Sequence, residues 1–251
     1  MRVLILAAGT GTRLWPLTRN TPKSLLDLGD GLTLLETQLE AIRPSGIRDI
    51  VLVTGYRSAQ IEAKIQYYQD FRFKVVYNPF YDVSNNLESA WLAMPYMGDD
   101  FVLVNGDDVY RSEVFARLLS ADGDVVMVVS RKPEYDEDDM KVGISGDRVY
   151  KVSKELSADH ANGESIGMIK FRESGARWFS DELDLMVRGK QNLDAYYLQA
   201  IQNLMDRGLP VNYVTCDPDE WAEIDIHPDL RSVREALGNK LGKVIDPKTD
   251  S

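Results

Sequence analysis

Short, fully apolar runs recur along the chain, and each gives way to a glycine turn or to a stretch with helical spacing. Val3 to Ala7 ends at Gly9 and suits a buried parallel strand feeding a loop. Leu34 to Ile42 reads as a helix whose entry carries Thr33 three residues before Glu36, the spacing of a capping box. Asp49 to Thr54 is the next strand, and Ser58 is placed to cap a helix reaching Tyr68. Phe73 to Tyr77 predicts a strand, Leu87 to Met94 a helix, and Phe101 to Val104 a strand that stops at Gly106. Strands alternating with helices predict an α/β fold: a Rossmann-like, mostly parallel sheet with helices on both faces. Ligands of such sheets sit at the carboxyl ends of the strands, which sends Gly9–Arg13 and Asn105–Asp108 to one edge.

The pattern changes after a strand from Asp124 to Val129. The acidic stretch Glu134 to Asp139 reads as a solvated loop without function, since like charges repel and stay hydrated. Alternating segments at Val142–Ile144 and Val149–Val152 predict a hairpin or a small inserted mixed sheet. Ser165 to Phe171 reads as a strand, Leu193 to Met205 as a helix and Val211 to Val214 as a strand. Pro228 then opens a helix over Leu230–Leu237, and the polar tail beyond Gly238 is expected to be mobile. No internal repeat or low-complexity segment interrupts this order.

Composition narrows the function. With 251 residues and 44% hydrophobic content the chain can bury a sizeable core. The net charge of −11, from 40 acidic and 29 basic residues, opposes polyanions, so nucleic acid is not expected as a partner. No apolar run has membrane-spanning length, and MRVLILAAGTG lacks the basic start and cleavage site of a secretory leader. The single Cys216 cannot form an intrachain disulfide, and a cytosolic protein is expected.

The chemistry concentrates in Leu6-Ala-Ala-Gly-Thr-Gly-Thr-Arg-Leu-Trp-Pro-Leu-Thr18, followed by Pro22-Lys23. Small residues let backbone N–H groups approach phosphate oxygens, and Arg13 and Lys23 add positive charge. The P-loop is excluded because no Lys-Ser or Lys-Thr directly follows a glycine in the P-loop arrangement, and the dinucleotide fingerprint because its third glycine is missing. Asp107, in Asn105-Gly-Asp-Asp108, ends an apolar strand, where a carboxylate is a natural Mg²⁺ ligand. Asp108 and Asp229 read as turn or capping residues. His160 and His227 have no metal-ligand spacing around them.

Gly9-x-Gly11-x-Arg13-Leu14-x-Pro16-Leu17-Thr18 with Pro22-Lys23 resembles the signature of the sugar-phosphate nucleotidyltransferase family, and the likeness continues through Asn105-Gly-Asp107 and Trp221-x-Glu-Ile-Asp225. The resemblance implies a Mg²⁺-dependent enzyme that moves a nucleoside monophosphate from a nucleoside triphosphate to a small phosphorylated acceptor, releasing pyrophosphate. It implies nucleotide contacts at Leu6, Ala8, Gly9, Gly11, Thr12, Arg13 and Lys23, the last two serving catalysis, and a metal shared by Asp107 and Asp225. It also implies an acceptor site at Lys154 and Glu164. The usual Glu-Lys-Pro setting is absent from Ser153-Lys-Glu-Leu156, which keeps Lys151 in play. One domain over 1–238 is expected, with a nucleotide part at 1–130, an acceptor part at 131–215 and a return at 216–238 bringing the second metal Asp; 239–251 is the tail.

Asn78, Asn85 and Ser89 are further nucleotide candidates. Amide side chains can read a base edge, although paired asparagines also form turns and caps. The Asn-x-x-x-Ser-x-x-Leu-Ala spacing from Asn85 to Ala93 resembles CTP:phosphocholine and phosphonate cytidylyltransferases more than the glucose-1-phosphate branch, which favours CTP. Trp178, Tyr196, Tyr197 and Trp221 could enclose a quaternary ammonium, against a reading as core aromatics. Competing expectations are a sugar-1-phosphate guanylyl-, uridylyl- or thymidylyltransferase, a guanylyltransferase acting on a molybdenum cofactor precursor, and a silent nucleotide-binding regulatory subunit. Loss of Arg13, Lys23 or a metal Asp would mark the last, and all are present.

Overall fold

The computed structural model describes residues 1–29, 31–189 and 194–244. Its first half alternates as the pattern predicts: β1 (Arg2–Ala7), α1 (Leu34–Ile42), β2 (Asp49–Thr54), α2 (Ser58–Ile65), β3 (Arg72–Tyr77), α3 (Asn86–Met97) and β4 (Asp100–Asn105). Then follow β5 (Asp108–Tyr110), α4 (Ser112–Ser120), β6 (Val125–Ser130), β7 (Lys141–Ser145), β8 (Arg148–Ser153), β9 (Gly163–Arg172) and α5 (Glu173–Arg188). The chain continues through α6 (Tyr197–Asp206), β10 (Asn212–Cys216), β11 (Trp221–Glu223) and α7 (His227–Val244).

Nine strands form one sheet in the order β3-β2-β1-β4-β9-β6-β10-β8-β7, and β5 pairs with β11 in a separate two-stranded sheet. β1 to β4 are mutually parallel, as are β6 and β10, while β9 lies antiparallel between β4 and β6. The hairpin β7–β8 extends the far end of the large sheet, with β8 against β10 and β7 against β9.

Period-two alternation assigns the strand side chains to two cores. From β1, Leu4 joins Ala90 and Ala93 of α3, Phe179 and Leu183 of α5, and Ile201 and Leu204 of α6. Val3 and Ile5 face the other way, toward Leu35 and Leu39 of α1, Ile61 of α2, and Val114 and Leu118 of α4. A third cluster of Leu14, Leu26, Leu34, Ile224 and Leu230 fastens the first loop and α7 to the body.

Local chemistry explains several boundaries. Thr33 and Glu36 form the expected capping box, and Asn85 caps α3 by accepting from Asn86 N at 3.2 Å. Ser58, by contrast, is the first residue of α2, whose cap position is Arg57 and carries no side-chain cap. Helices α4 and α5 escape the capping signals because neither has a side-chain cap and each follows a strand almost directly. Helix α6 starts at Tyr197, and Leu193 lies outside the described residues. Helix α7 passes Gly238 and reaches Val244, so the expected tail is helical at its start; 245–251 lie outside the described residues.

Glu36 also joins elements. Lys64 lies 2.8 Å and the Tyr68 hydroxyl 2.5 Å from its Oε1, while Thr33 donates to Oε2. Burial alone would raise this carboxyl, but the hydrogen bonds from Lys64, Tyr68 and Thr33 outweigh it and hold the pKa at about 2, against an ordinary 4.5. The stabilisation is therefore complete above about pH 4.5 and disappears as pH falls towards 2. Glu36→Gln is expected to cost about 1–3 kcal/mol at pH 7. In urea titrations across pH, the gap from the native chain should close through that acidic window; a gap constant with pH would contradict the assignment.

Candidate active site

The loop after β1, the turn after β4 and the segment after β11 surround one cavity of about 720 Å³. Close backbone packing brings them together. Gly106 N donates to Leu6 O at 2.9 Å, and a Cβ on Gly106 would lie 2.4 Å from that oxygen, so only glycine fits. Ile224 N donates to Asp107 O at 3.0 Å, joining the strand-end turn to the residue beside Asp225.

The first loop is built around Thr18, fully buried, whose hydroxyl donates to Gly11 O at 2.6 Å. Gly11 has φ +63°, and Lys23 Cβ and Thr18 crowd the place of a side chain; Gly9 faces open space. Leu6, Ala8, Gly9, Gly11, Thr12, Arg13 and Lys23 all line the cavity.

Three carboxylates converge at its wall: oxygens of Asp107, Glu223 and Asp225 lie within 4.8 Å of one another, a set that could hold a metal ion. Lys23 Nζ bridges two of them, 3.0 Å from Asp107 and 3.1 Å from Asp225, and Arg13 pairs with Asp225. Burial opposes the Lys23 charge, but Asp107 and Asp225 outweigh it and hold the ammonium above its usual pKa. Burial and the Asp107 carboxylate push Glu223 above the usual carboxylate range. Asp108 is no cap: it sits buried in β5, where burial and the Asp107 and Glu223 charges push its carboxyl well above the usual carboxylate range. Asp229 accepts from the backbone of Asp225 and Ile226, fixing the return segment at the start of α7.

The other side of the cavity carries Asn78, Asn85 and Ser89. Asn78 Nδ2 donates to Ser89 Oγ at 3.0 Å and its Oδ1 accepts from Phe80 N, while Asn85 Nδ2 reaches Asp194 O. These amides shape the wall through bonds of their own.

At the far end stand Lys154, Glu164 and residues that sequence reasoning passed over. Lys132 Nζ lies 2.8 Å from Asp139 and 2.9 Å from Glu164. Burial drives the Glu164 carboxyl up to about 7 against the pull of Lys132. Lys154 pairs with Asp138 at 3.6 Å and lies 5.6 Å from the centre of the Tyr196 ring. Lys151 is not among the lining residues. The acidic stretch is solvated as expected, with Glu134, Asp136, Glu137 and Asp138 exposed, and Asp136, Asp138 and Asp139 also line the cavity. Of the four aromatics, Tyr196 and Trp221 line it, whereas Tyr197 is fully buried and Trp178 packs on the core. His160 contacts Ser157, and His227 contacts Trp15 O, both away from a metal role.

Residues 2–136 match the family model described as nucleotidyl transferase, and the chain belongs to that family. It is an enzyme of the nucleotidyltransferase type. It is 25% identical over 253 residues to the CTP:phosphoglutamine cytidylyltransferase of Campylobacter jejuni, covering 92% of this chain and 98% of that protein. It is 27% identical over 241 residues to the choline-phosphate cytidylyltransferase of Streptococcus pneumoniae, with 96% and 100% covered. The solved inositol-1-phosphate CTP transferase from T. maritima shares the fold, with TM-score 0.79, 24% identity and 94% of each chain covered. Among the described residues no helix is long and apolar enough to cross a membrane.

The loop geometry separates its two glycines. Gly11→Ala is expected to cost about 1–2 kcal/mol for the left-handed backbone, whereas Gly9→Ala should stay within about 0.5 kcal/mol of the native chain. Equal midpoints for both variants in urea would contradict the loop geometry.

Proposed function

We propose that this protein transfers CMP from CTP to a small phosphorylated acceptor with release of pyrophosphate. The observation that carries the reading is the bridge from Lys23 to Asp107 and Asp225, set beside the Gly9–Arg13 loop in a single cavity. The names of the full-length relatives support CTP over the other nucleotides. Residues 1–130 form the nucleotide part, 131–215 the acceptor part, and 216–238 return Asp225 to the metal site.

Asp107 and Asp225 would hold Mg²⁺. The fit is chemical: these are hard carboxylate oxygens, and a cation, the Lys23 ammonium, already rests between them. When bound, the ion supplies a Lewis acid and a template for the phosphates. Backbone N–H groups of the first loop receive the triphosphate, and Arg13 and Lys23 neutralise charge on it and on the departing pyrophosphate. Leu6 and Ala8 border the nucleotide with Asn78, Asn85 and Ser89. Lys154 and Glu164 meet the acceptor. A phosphate monoester has a second pKa near ~6 and is mostly dianionic at neutral pH, so its oxygen attacks the α-phosphorus without a general base. The residues' task is alignment and charge neutralisation.

Pyrophosphate release with Mg²⁺, measured for each nucleoside triphosphate against phosphocholine, aminoethylphosphonate and sugar 1-phosphates, should require CTP. Turnover with UTP, GTP or dTTP and a sugar 1-phosphate instead would overturn the CTP assignment, and nucleotide binding without turnover on the full panel would favour a regulatory protein. Asp107→Ala, Asp225→Ala and Lys23→Ala should each lower kcat about 100-fold or more with native circular dichroism. Near-normal turnover in both Asp variants would remove the metal assignment.

A further inference from the structure

We infer that Gln38 is a positioning residue for the metal centre: its buried amide clamps the two ends of the turn that carries Asp107. Gln38 lies on α1, outside the cavity, and is fully buried. Its Nε2 donates to Asn105 O at 2.8 Å and to Asp108 O at 2.7 Å, so one side chain spends both N–H groups on carbonyls that bracket Asp107. Its Oε1 has no hydrogen-bond partner among the described residues. The turn thus sets the orientation of the amide, at the cost of a buried unpaired oxygen.

The clamp stands on a rigid base. The capping box at Thr33 and Glu36 secures the start of α1, and Leu35 and Leu39 bury its face in the core. On the opposite side Ile224 N holds Asp107 O. Asp107 is therefore gripped from α1 and from the segment leading to Asp225, and the separation of the two carboxylates depends on both grips. Mg²⁺ tolerates little departure from octahedral geometry, so a small rotation of the turn weakens metal binding far more than it disturbs the fold. Partners behind a ligand commonly change metal affinity 10- to 100-fold when lost.

The inference rests on the reading of Asp107 as a metal ligand, and its test separates the two. Mn²⁺ binding to the protein, followed by the electron paramagnetic resonance of free Mn²⁺ and corrected for the Mn²⁺ that CTP binds in the absence of protein, is measured alongside pyrophosphate-release kinetics. The chains compared are native, Gln38→Met, Gln38→Glu, Asp107→Ala and Leu118→Ala, the last a buried change on α4 that lowers stability away from the turn. Gln38→Met should weaken Mn²⁺ binding about 10-fold or more and lower kcat in step, with the KM for CTP within about threefold of native. Gln38→Glu, which keeps the volume and loses at least one donor, should weaken Mn²⁺ binding too and carries the test if Gln38→Met does not fold. Leu118→Ala should bind Mn²⁺ normally. Native affinity in the Gln38 variants, or equal loss in Leu118→Ala, would overturn the positioning role while leaving Asp107 a ligand. Unchanged Mn²⁺ binding in Asp107→Ala would remove the metal reading and this role with it.

Discussion

Three carboxylates within 4.8 Å of one another repel, and Lys23 and Arg13 supply the opposing charge at the same point. Much of the architecture serves that balance. Thr18 ties Gly11 into a loop that brings Arg13 and Lys23 inward, Gly106 lets the β4 turn close on β1, and Ile224 binds the Asp107 backbone. A cation at a cluster of acids also makes the pocket receptive to an anion, since the ammonium is a donor with three N–H groups.

The large sheet was legible wherever a strand is buried on both faces. Each of β1, β2, β4 and β6 announces itself as a continuous apolar run, because both cores draw on it. Helices with capping side chains, such as α1 and α3, were also readable. Helix α5 carries Ala176, Phe179, Leu183 and Met186 at helical spacing, yet its abrupt start beside β9 hides the boundary. The antiparallel setting of β9 could not be read from its own residues, since a doubly buried strand looks alike in either direction.

The nucleotide side of the site was readable for a different reason. Its residues lie close in sequence, and small residues next to Arg13 and Lys23 have few uses besides phosphate. The far side is assembled from β6, the acidic loop and β9, so Lys132, Asp139 and Glu164 meet only after folding. Nothing in the run Glu134–Asp139 marks Asp139 as the carboxylate that Lys132 draws inward. Gln38 was equally hidden: within α1 it resembles any polar residue on a helix, and only its 2.8 and 2.7 Å bonds reveal where it points.

The place of β9 between β4 and β6 also bears on how the chain emerges during synthesis. β4 is complete at Asn105, but its partner starts at Gly163, after residues 106–162 have been made. Until then the apolar run Phe101–Val104 stands as an open edge, and unpaired apolar edges invite pairing with other chains. A ribosome that stalls in this interval would hold a finished glycine loop beside an unfinished sheet. The antiparallel insertion that joins both halves of the cavity therefore also defines the interval in which the nascent protein most needs protection from its neighbours.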